Sequence, residues 1–93
     1  MSKHIIEHQV DEQLFFVELG EQRALLRYKL SNVHSGTTEV DFFNTFVPNS
    51  HRGQGLAAQL VEAGFAWADQ QGIDIKASCW YAAKKLEKRQ VRQ

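Results

Sequence analysis

The hydrophobic pattern of the chain changes period at Pro48, and this change limits the folds open to it. Before the proline, short apolar segments alternate with polar turns, which is typical of β-strands joined in hairpins. After it, apolar residues recur every three or four positions over residues 56–71, which indicates a helix with one broad apolar face. We therefore expect an α/β (α+β) fold in which a mostly antiparallel sheet packs against helices.

The predicted elements follow the order β-β-β-β-α-β-α. The strands are predicted over residues 5–10, 14–19, 24–30, 37–47 and 73–77, and the helices over 56–71 and 82–89. In the fourth strand, period two places Val40, Phe42 and Phe46 on one face. Gly72 can take the left-handed conformation that ends a helix.

A length of 93 residues predicts one domain over residues 1–93 with a modest core. Any large ligand is then expected in a surface groove. The apolar runs fall far short of the roughly 20 residues that span a bilayer, and Glu7 stands where a signal peptide would stay apolar. The lone Cys79 cannot form an internal disulfide, which suits a reducing compartment. These features predict a cytoplasmic protein without a membrane partner.

The charge is balanced overall, with 11 basic and 11 acidic residues, so composition does not indicate a nucleic-acid-binding surface. The two halves differ, because residues 1–50 hold four basic and seven acidic side chains, whereas residues 51–93 hold seven and four. An anionic ligand would suit the second half. His4 and His8 would lie about 13 Å apart on a strand, so they are interpreted as surface histidines and no metal site is expected.

Residues 47–57 combine a strand end, a short loop with two glycines and the first turn of the long helix. Glycines let the backbone approach a ligand closely, and a helix N-terminus presents unpaired N–H groups, so such a loop can hold phosphates. Arg52 adds a charge that pairs with phosphate. The loop is interpreted either as a pyrophosphate site or as a tight helix start.

Two common phosphate-binding patterns fit this loop poorly. A P-loop needs Lys-Ser or Lys-Thr after its last glycine, and neither pair follows Gly55. The dinucleotide pattern G-x-G-x-x-G/A fits residues 53–58, with Asp74 about 20 residues further on. However, Asp74 falls at the start of its predicted strand, and antiparallel hairpins precede the glycines.

Residues 52–57 instead fit the pattern R-x-x-G-x-A, which resembles the coenzyme A pyrophosphate loop of the GNAT superfamily of N-acetyltransferases. The segments T-F-V-P at residues 45–48 and C-W-Y at residues 79–81 are similar to the T-x-V and C-x-Y segments of small GNAT-like proteins. The resemblance covers about residues 38–89, while the first three strands are generic.

This resemblance implies a minimal GNAT-type fold with a splayed strand pair at the site, and acetyl-CoA (coenzyme A) as the cofactor. Phe46 and Val47 would offer backbone groups to the pantetheine arm. The residues implied around the pyrophosphate are Arg52, Gly53, Gln54, Gly55, Leu56 and Ala57. The thioester end of the cofactor would lie between Val47 and Cys79.

Cys79 and Tyr81 are the catalytic candidates. Cys79 is interpreted either as a nucleophile that carries the acetyl group or as a residue that only lines the site. Tyr81 would donate a proton to the departing CoA thiolate, or only pack the core. Many relatives carry Glu-His where this chain has Phe43-Asn44, so the general base is unassigned.

The resemblance implies an N-acetyltransferase that moves acetyl from acetyl-CoA to an unidentified amine, on a small molecule or a protein. The alternatives are a CoA-binding module without efficient catalysis, and a nucleotide-binding or protein-interaction domain. We expect a monomer or weak homodimer.

Overall fold

The computed structural model describes residues 5–34 and 36–91. It contains one five-stranded sheet and two helices that pack against it. The strands are β1 (Glu7–Gln9), β2 (Leu14–Leu19), β3 (Gln22–His34), β4 (Thr37–Phe46) and β5 (Asp74–Ala77), and the helices are α1 (Leu56–Gln71) and α2 (Trp80–Val91). A short 3-10 turn, Asn49–His51, precedes α1. The predicted α/β fold and its element order are confirmed.

The sheet is antiparallel from β1 to β4, and β5 joins it parallel to β4. The parallel pairing runs from Glu39 opposite Asp74 to Phe42 opposite Ala77 and then stops. Beyond this point β4 continues to Phe46, whereas the segment after β5 turns away into α2. The two neighbours therefore separate at the carboxyl end of β5, as expected for a splayed pair.

A β-bulge at Phe43 changes which side chains of β4 face the helices. Tyr28 pairs with Phe42 and Arg27 pairs with Asn44, so Phe43 is an extra residue in the ladder. A bulge reverses the alternation of the strand beyond it. The prediction that Phe46 shares a face with Phe42 is therefore wrong, because Phe42 is 0% exposed and Phe46 is 46% exposed.

The core lies between the helices and one face of the sheet. Its α1 members lie on the apolar face that the helical period predicts, and they are Leu56, Leu60, Val61, Phe65 and Ala68. They pack with buried residues of β2, β3 and β4, which include Val17, Leu26 and Phe42. Gly64 permits this close approach, because a Cβ atom there would lie 2.8 Å from Phe42 Cε1 and 3.0 Å from Leu26 Cδ2.

Replacing Gly64 with alanine is expected to lower the free energy of unfolding by up to about 2 kcal/mol. The overpacking cost, about 1–3 kcal/mol, exceeds the gain of about 1 kcal/mol in helix propensity. Thermal unfolding measures the change, and Ala66→Gly at an exposed position of α1 measures the propensity term alone. A rise in Tm for Gly64→Ala would show that Phe42 and Leu26 make room without cost.

Several element boundaries and one side chain differ from the sequence predictions. Among these differences, β3 continues to His34, beyond its predicted end at residue 30, and α2 begins at Trp80, two residues before the predicted start. His8 is half-buried rather than a surface residue, since β1 places it opposite Phe15.

The ring of His8 stacks on Phe15 at 4.0 Å between centroids, and His8 Nε2 lies 2.7 Å from the Tyr28 hydroxyl. Burial lowers the pKa of His8. His4 lies outside the described residues. Within residues 5–34 and 36–91, no cluster of three or more His, Cys, Asp or Glu side chains could hold a metal ion. In that same part of the chain, no helix is long and apolar enough to cross a membrane.

Candidate active site

A groove of about 460 Å³ opens where β4 and β5 separate. The end of β4, the loop before α1 and the first turns of both helices form its walls. The lining residues are Thr45, Val47, His51, Arg52, Gly53, Gly55, Leu56, Ala57, Ala58, Cys79, Trp80 and Tyr81. The loop of residues 52–57 and the segment of residues 79–81, which are far apart in sequence, thus line the same groove.

Most of the residues selected from the sequence meet in this groove. Both catalytic candidates, Cys79 and Tyr81, line it, as does Val47 at the end of β4. The cofactor-loop residues that line it are Arg52, Gly53, Gly55, Leu56 and Ala57. Phe46 and Gln54 are not part of the lining: the Phe46 side chain lies beyond the bulge on the exposed side, and Gln54 is an exposed loop residue.

Four lining residues were not selected from the sequence: Thr45, His51, Ala58 and Trp80. Thr45 belongs to the T-F-V-P segment, but strict alternation from Phe42 would place its side chain on the opposite face. Trp80 is 72% exposed, which a reading of tryptophan as a core residue does not predict. The side chain of Thr45 faces the groove because of the bulge at Phe43, and nothing in the residues of β4 predicts that bulge.

The loop before α1 has backbone conformations that favour glycine. Gly53 has φ of 84° and Gly55 has φ of 77°, both in the left-handed region. Gly55 is the N-cap of α1, and no side chain caps that helix end. The first-turn N–H groups, which have no partner within a helix, therefore adjoin the groove beside Leu56 and Ala57.

Arg52 ties this loop to the end of β4. Its Nε donates a hydrogen bond of 3.0 Å to the carbonyl oxygen of Val47, and the residue is exposed. The guanidinium group therefore lies at the rim of the groove, close to the open N-terminus of α1. Positive charge and helix N–H groups at one place favour an anionic ligand.

Cys79 sits immediately before α2, and bonds from β4 hold both its backbone and its side chain. Its N–H donates to the carbonyl oxygen of Phe42 at 3.2 Å, and its Sγ lies 3.3 Å from Thr45 Oγ1. Burial raises the pKa of the Cys79 thiol, but hydrogen bonds from the Thr45 hydroxyl and from the backbone N–H groups of Ala82, Tyr81 and Thr45 outweigh it. The pKa is therefore lower than that of an ordinary cysteine, which favours the nucleophilic thiolate.

Asp41, a buried acid on β4, anchors the turn that carries Cys79. Its carboxylate accepts the Ser78 N–H at 2.8 Å and the Ser78 hydroxyl at 2.7 Å. The residue is 9% exposed and does not line the groove. Asp41 thus fixes the β5–α2 junction, and no carboxylate belongs to the described lining of the groove.

The splayed strands, the loop with two glycines at a helix N-terminus and the cysteine before the next helix are the features expected of a minimal GNAT-type α/β fold. A family model described as GCN5-related N-acetyl-transferase matches residues 14–93. The chain belongs to this family.

Among its relatives is the protein named NATD1 from mouse, which is 29% identical over 90 residues, covering 95% of this chain and 78% of the mouse protein. Human NATD1 is also 29% identical over 90 residues, covering 95% of this chain and 76% of the human protein. Zebrafish NATD1 is 27% identical over 81 residues, covering 85% and 70% of the two chains. The similarity thus extends over the first strands, which carry no distinctive motif.

Proposed function

We propose that this chain binds acetyl-CoA in the groove and transfers the acetyl group to an amine through Cys79. The observation that carries the proposal is the continuity of the groove, which joins the glycine loop at the N-terminus of α1 to Cys79 at the start of α2. GNAT domains generally use acetyl-CoA, so the family supplies the cofactor class and the groove supplies a place for it.

The pyrophosphate of the cofactor is assigned to the loop from Arg52 to Ala57. Gly53 and Gly55 have no side chains that would cover the loop, and they tolerate its left-handed backbone conformation. The first-turn N–H groups of α1 supply hydrogen-bond donors. The Arg52 guanidinium adds a charge at the rim. The pantetheine arm would then run along Val47 toward Cys79, with backbone groups of Phe46 and Val47 as its partners.

The proposed reaction is a thioester exchange followed by transfer to an amine. The Cys79 thiolate attacks the acetyl carbonyl, so a bond forms between Sγ and the carbonyl carbon while the bond from that carbon to the CoA sulfur breaks. CoA leaves as a thiolate and takes its proton from the Tyr81 hydroxyl, which regains one from solvent. The acceptor amine then attacks the acetyl-cysteine and loses a proton, and Cys79 is released.

The covalent route rests on the place of Cys79 in the groove and on the hydroxyl of Thr45 beside its sulfur. Direct attack and the second step of the covalent route both need a base to deprotonate the amine, and the described lining offers no carboxylate for this task. His51 is the imidazole of the lining, and its Nδ1 lies 2.9 Å from the Ser50 hydroxyl. It is the available base for deprotonating the acceptor in the second half of the reaction.

The acceptor is proposed to be an amine of a small molecule or a protein, and a monomer or weak homodimer is the proposed working form. The reaction requires Cys79 to stay reduced, so we place the protein in a reducing compartment such as the cytoplasm. The second candidate is a CoA-binding module without efficient transfer, favoured by the absence of a carboxylate base from the described lining.

Acetyl-CoA is expected to raise the Tm and to add the mass of one acetyl group. A ligand at 100 times its Kd stabilises a protein by about 2.7 kcal/mol, which corresponds to about 10–20 °C in a domain of this size. Thermal shift and intact mass measure the two effects, with NAD as the control nucleotide. A shift without acetylation would support the binding module, and no shift with millimolar CoA or acetyl-CoA would refute the cofactor assignment.

A further inference from the structure

We infer that Thr45 is a positioning residue whose hydroxyl holds the Cys79 sulfur in the groove where the proposed acetyl transfer takes place. The inference rests on the proposed function for its catalytic meaning. The stabilisation of a Cys79 thiolate by the Thr45 hydroxyl is independent of that function, because it follows from the contact between β4 and the residue before α2.

The bulge at Phe43 is what allows the contact. Phe42 and Thr45 are three residues apart, so in a regular strand their side chains would point to opposite faces. With Phe43 as an extra residue, Thr45 returns to the side of Phe42 and the helices, and its Oγ1 reaches to 3.3 Å from Cys79 Sγ. One short stretch of β4 thus holds Cys79 twice, by the Phe42 carbonyl at its backbone and by Thr45 at its sulfur.

The charge state of the sulfur decides the direction of the hydrogen bond. A thiolate carries no proton, so the Thr45 hydroxyl must donate to it, whereas toward a thiol the hydroxyl can also accept. Hydrogen bonds to a charged group are about twice as strong as neutral ones. Thr45 therefore stabilises the thiolate more than the thiol, in the same sense as the backbone N–H groups at the start of α2.

The other ionisable groups around this position come from three elements. His51 and Arg52 line the groove from the loop, and Tyr81 lines it from α2. On β4, Asp41 lies behind Ser78, with its carboxylate bonded to the backbone and side chain of that residue. Within the described residues, no hydrogen bond joins the side chain of any of these groups to Sγ, whereas Thr45 makes one.

Alkylation tests the inference without any cofactor, since Cys79 is the one cysteine of the sequence and iodoacetamide reports on it alone. Thr45→Val is expected to alkylate about tenfold more slowly at pH 7, with the midpoint of the pH–rate profile about one pH unit higher. Thr45→Ser keeps the hydroxyl and should keep the wild-type midpoint. The matched control is Thr38→Val on the same strand, where the hydroxyl donates to Asn32 Oδ1 outside the groove.

A wild-type midpoint in Thr45→Val would overturn the inference, and Thr45→Ala replaces that variant if valine prevents folding. Acetylation of Cys79 by acetyl-CoA gives a second readout: Thr45→Val should be about tenfold slower at pH 7, and the deficit should close above the alkylation midpoint of that variant. Equal acetylation rates at pH 7 would overturn the positioning role while the proposed function stands. A shifted alkylation midpoint in a wild-type protein that acetyl-CoA does not acetylate would support Thr45 and refute the proposed function.

Discussion

Replacing Cys79 with alanine is expected to remove the acetyl-enzyme completely and to lower the rate of transfer by about a thousandfold or more. Loss of a covalent nucleophile leaves only the contributions of binding and orientation, so effects of this size are usual. Release of free CoA thiol with a panel of amines measures turnover, and intact mass measures the intermediate. Binding of CoA should persist, because the loop before α1 and the end of β4 are unchanged.

Cys79→Ser is the matched control for this prediction. The serine hydroxyl keeps the shape of the site and can still meet Thr45, but it is a weak nucleophile at neutral pH without a strong base beside it. Its transfer rate should fall with that of Cys79→Ala while its CoA affinity stays at the wild-type value. A transfer rate in Cys79→Ala within a few-fold of wild type would mean that Cys79 only lines the groove and that the amine attacks acetyl-CoA directly.

The parts of the site that were predictable from sequence depend on local backbone chemistry. The loop of residues 52–57 lies between a strand-ending proline and a strongly periodic helix, so both its position and its glycine conformations follow from neighbouring residues. The start of α1 at Leu56 agrees with the prediction for the same reason. The prediction that Cys79 lies near this loop also depended on the resemblance to GNAT proteins. Residues 52–57 and 79–81 are far apart in sequence, and only the pairing of β4 with β5 brings them together.

The parts that were not predictable depend on pairing between strands. The bulge at Phe43 is a property of the β3–β4 register, and it reverses the facing of Thr45 and Phe46 together. The role of Asp41 likewise depends on a residue distant in sequence, since the hydrogen-bond donors to its carboxylate are the N–H and the hydroxyl of Ser78. A single sequence shows the alternation of apolar and polar residues in a strand, but it does not show where an extra residue interrupts the pairing with the neighbouring strand.

Gly53→Val and Gly55→Val are expected to weaken CoA binding by about 100-fold or more. A β-branched residue cannot adopt φ near +80° without a cost of about 1–3 kcal/mol, so the loop must rearrange and its N–H groups turn away from the pyrophosphate. A Cβ at Gly53 would have no atom within 4 Å, and at Gly55 the nearest would be Gln59 Nε2 at 3.9 Å. The effect would therefore come from the backbone and from the space the ligand needs, not from packing within the protein.

Gly20→Val separates this effect from a general loss of stability. Gly20 also has φ of 84° and nothing within 4 Å of its Cβ position, but it lies in the turn between β2 and β3, outside the groove. All three variants should lose similar free energy of unfolding, whereas only those in the loop should lose affinity in a calorimetric titration with CoA at a temperature where each is folded. Equal affinity in all three would place the pyrophosphate away from residues 52–57, and the proposed orientation of the thioester toward Cys79 would fail with it.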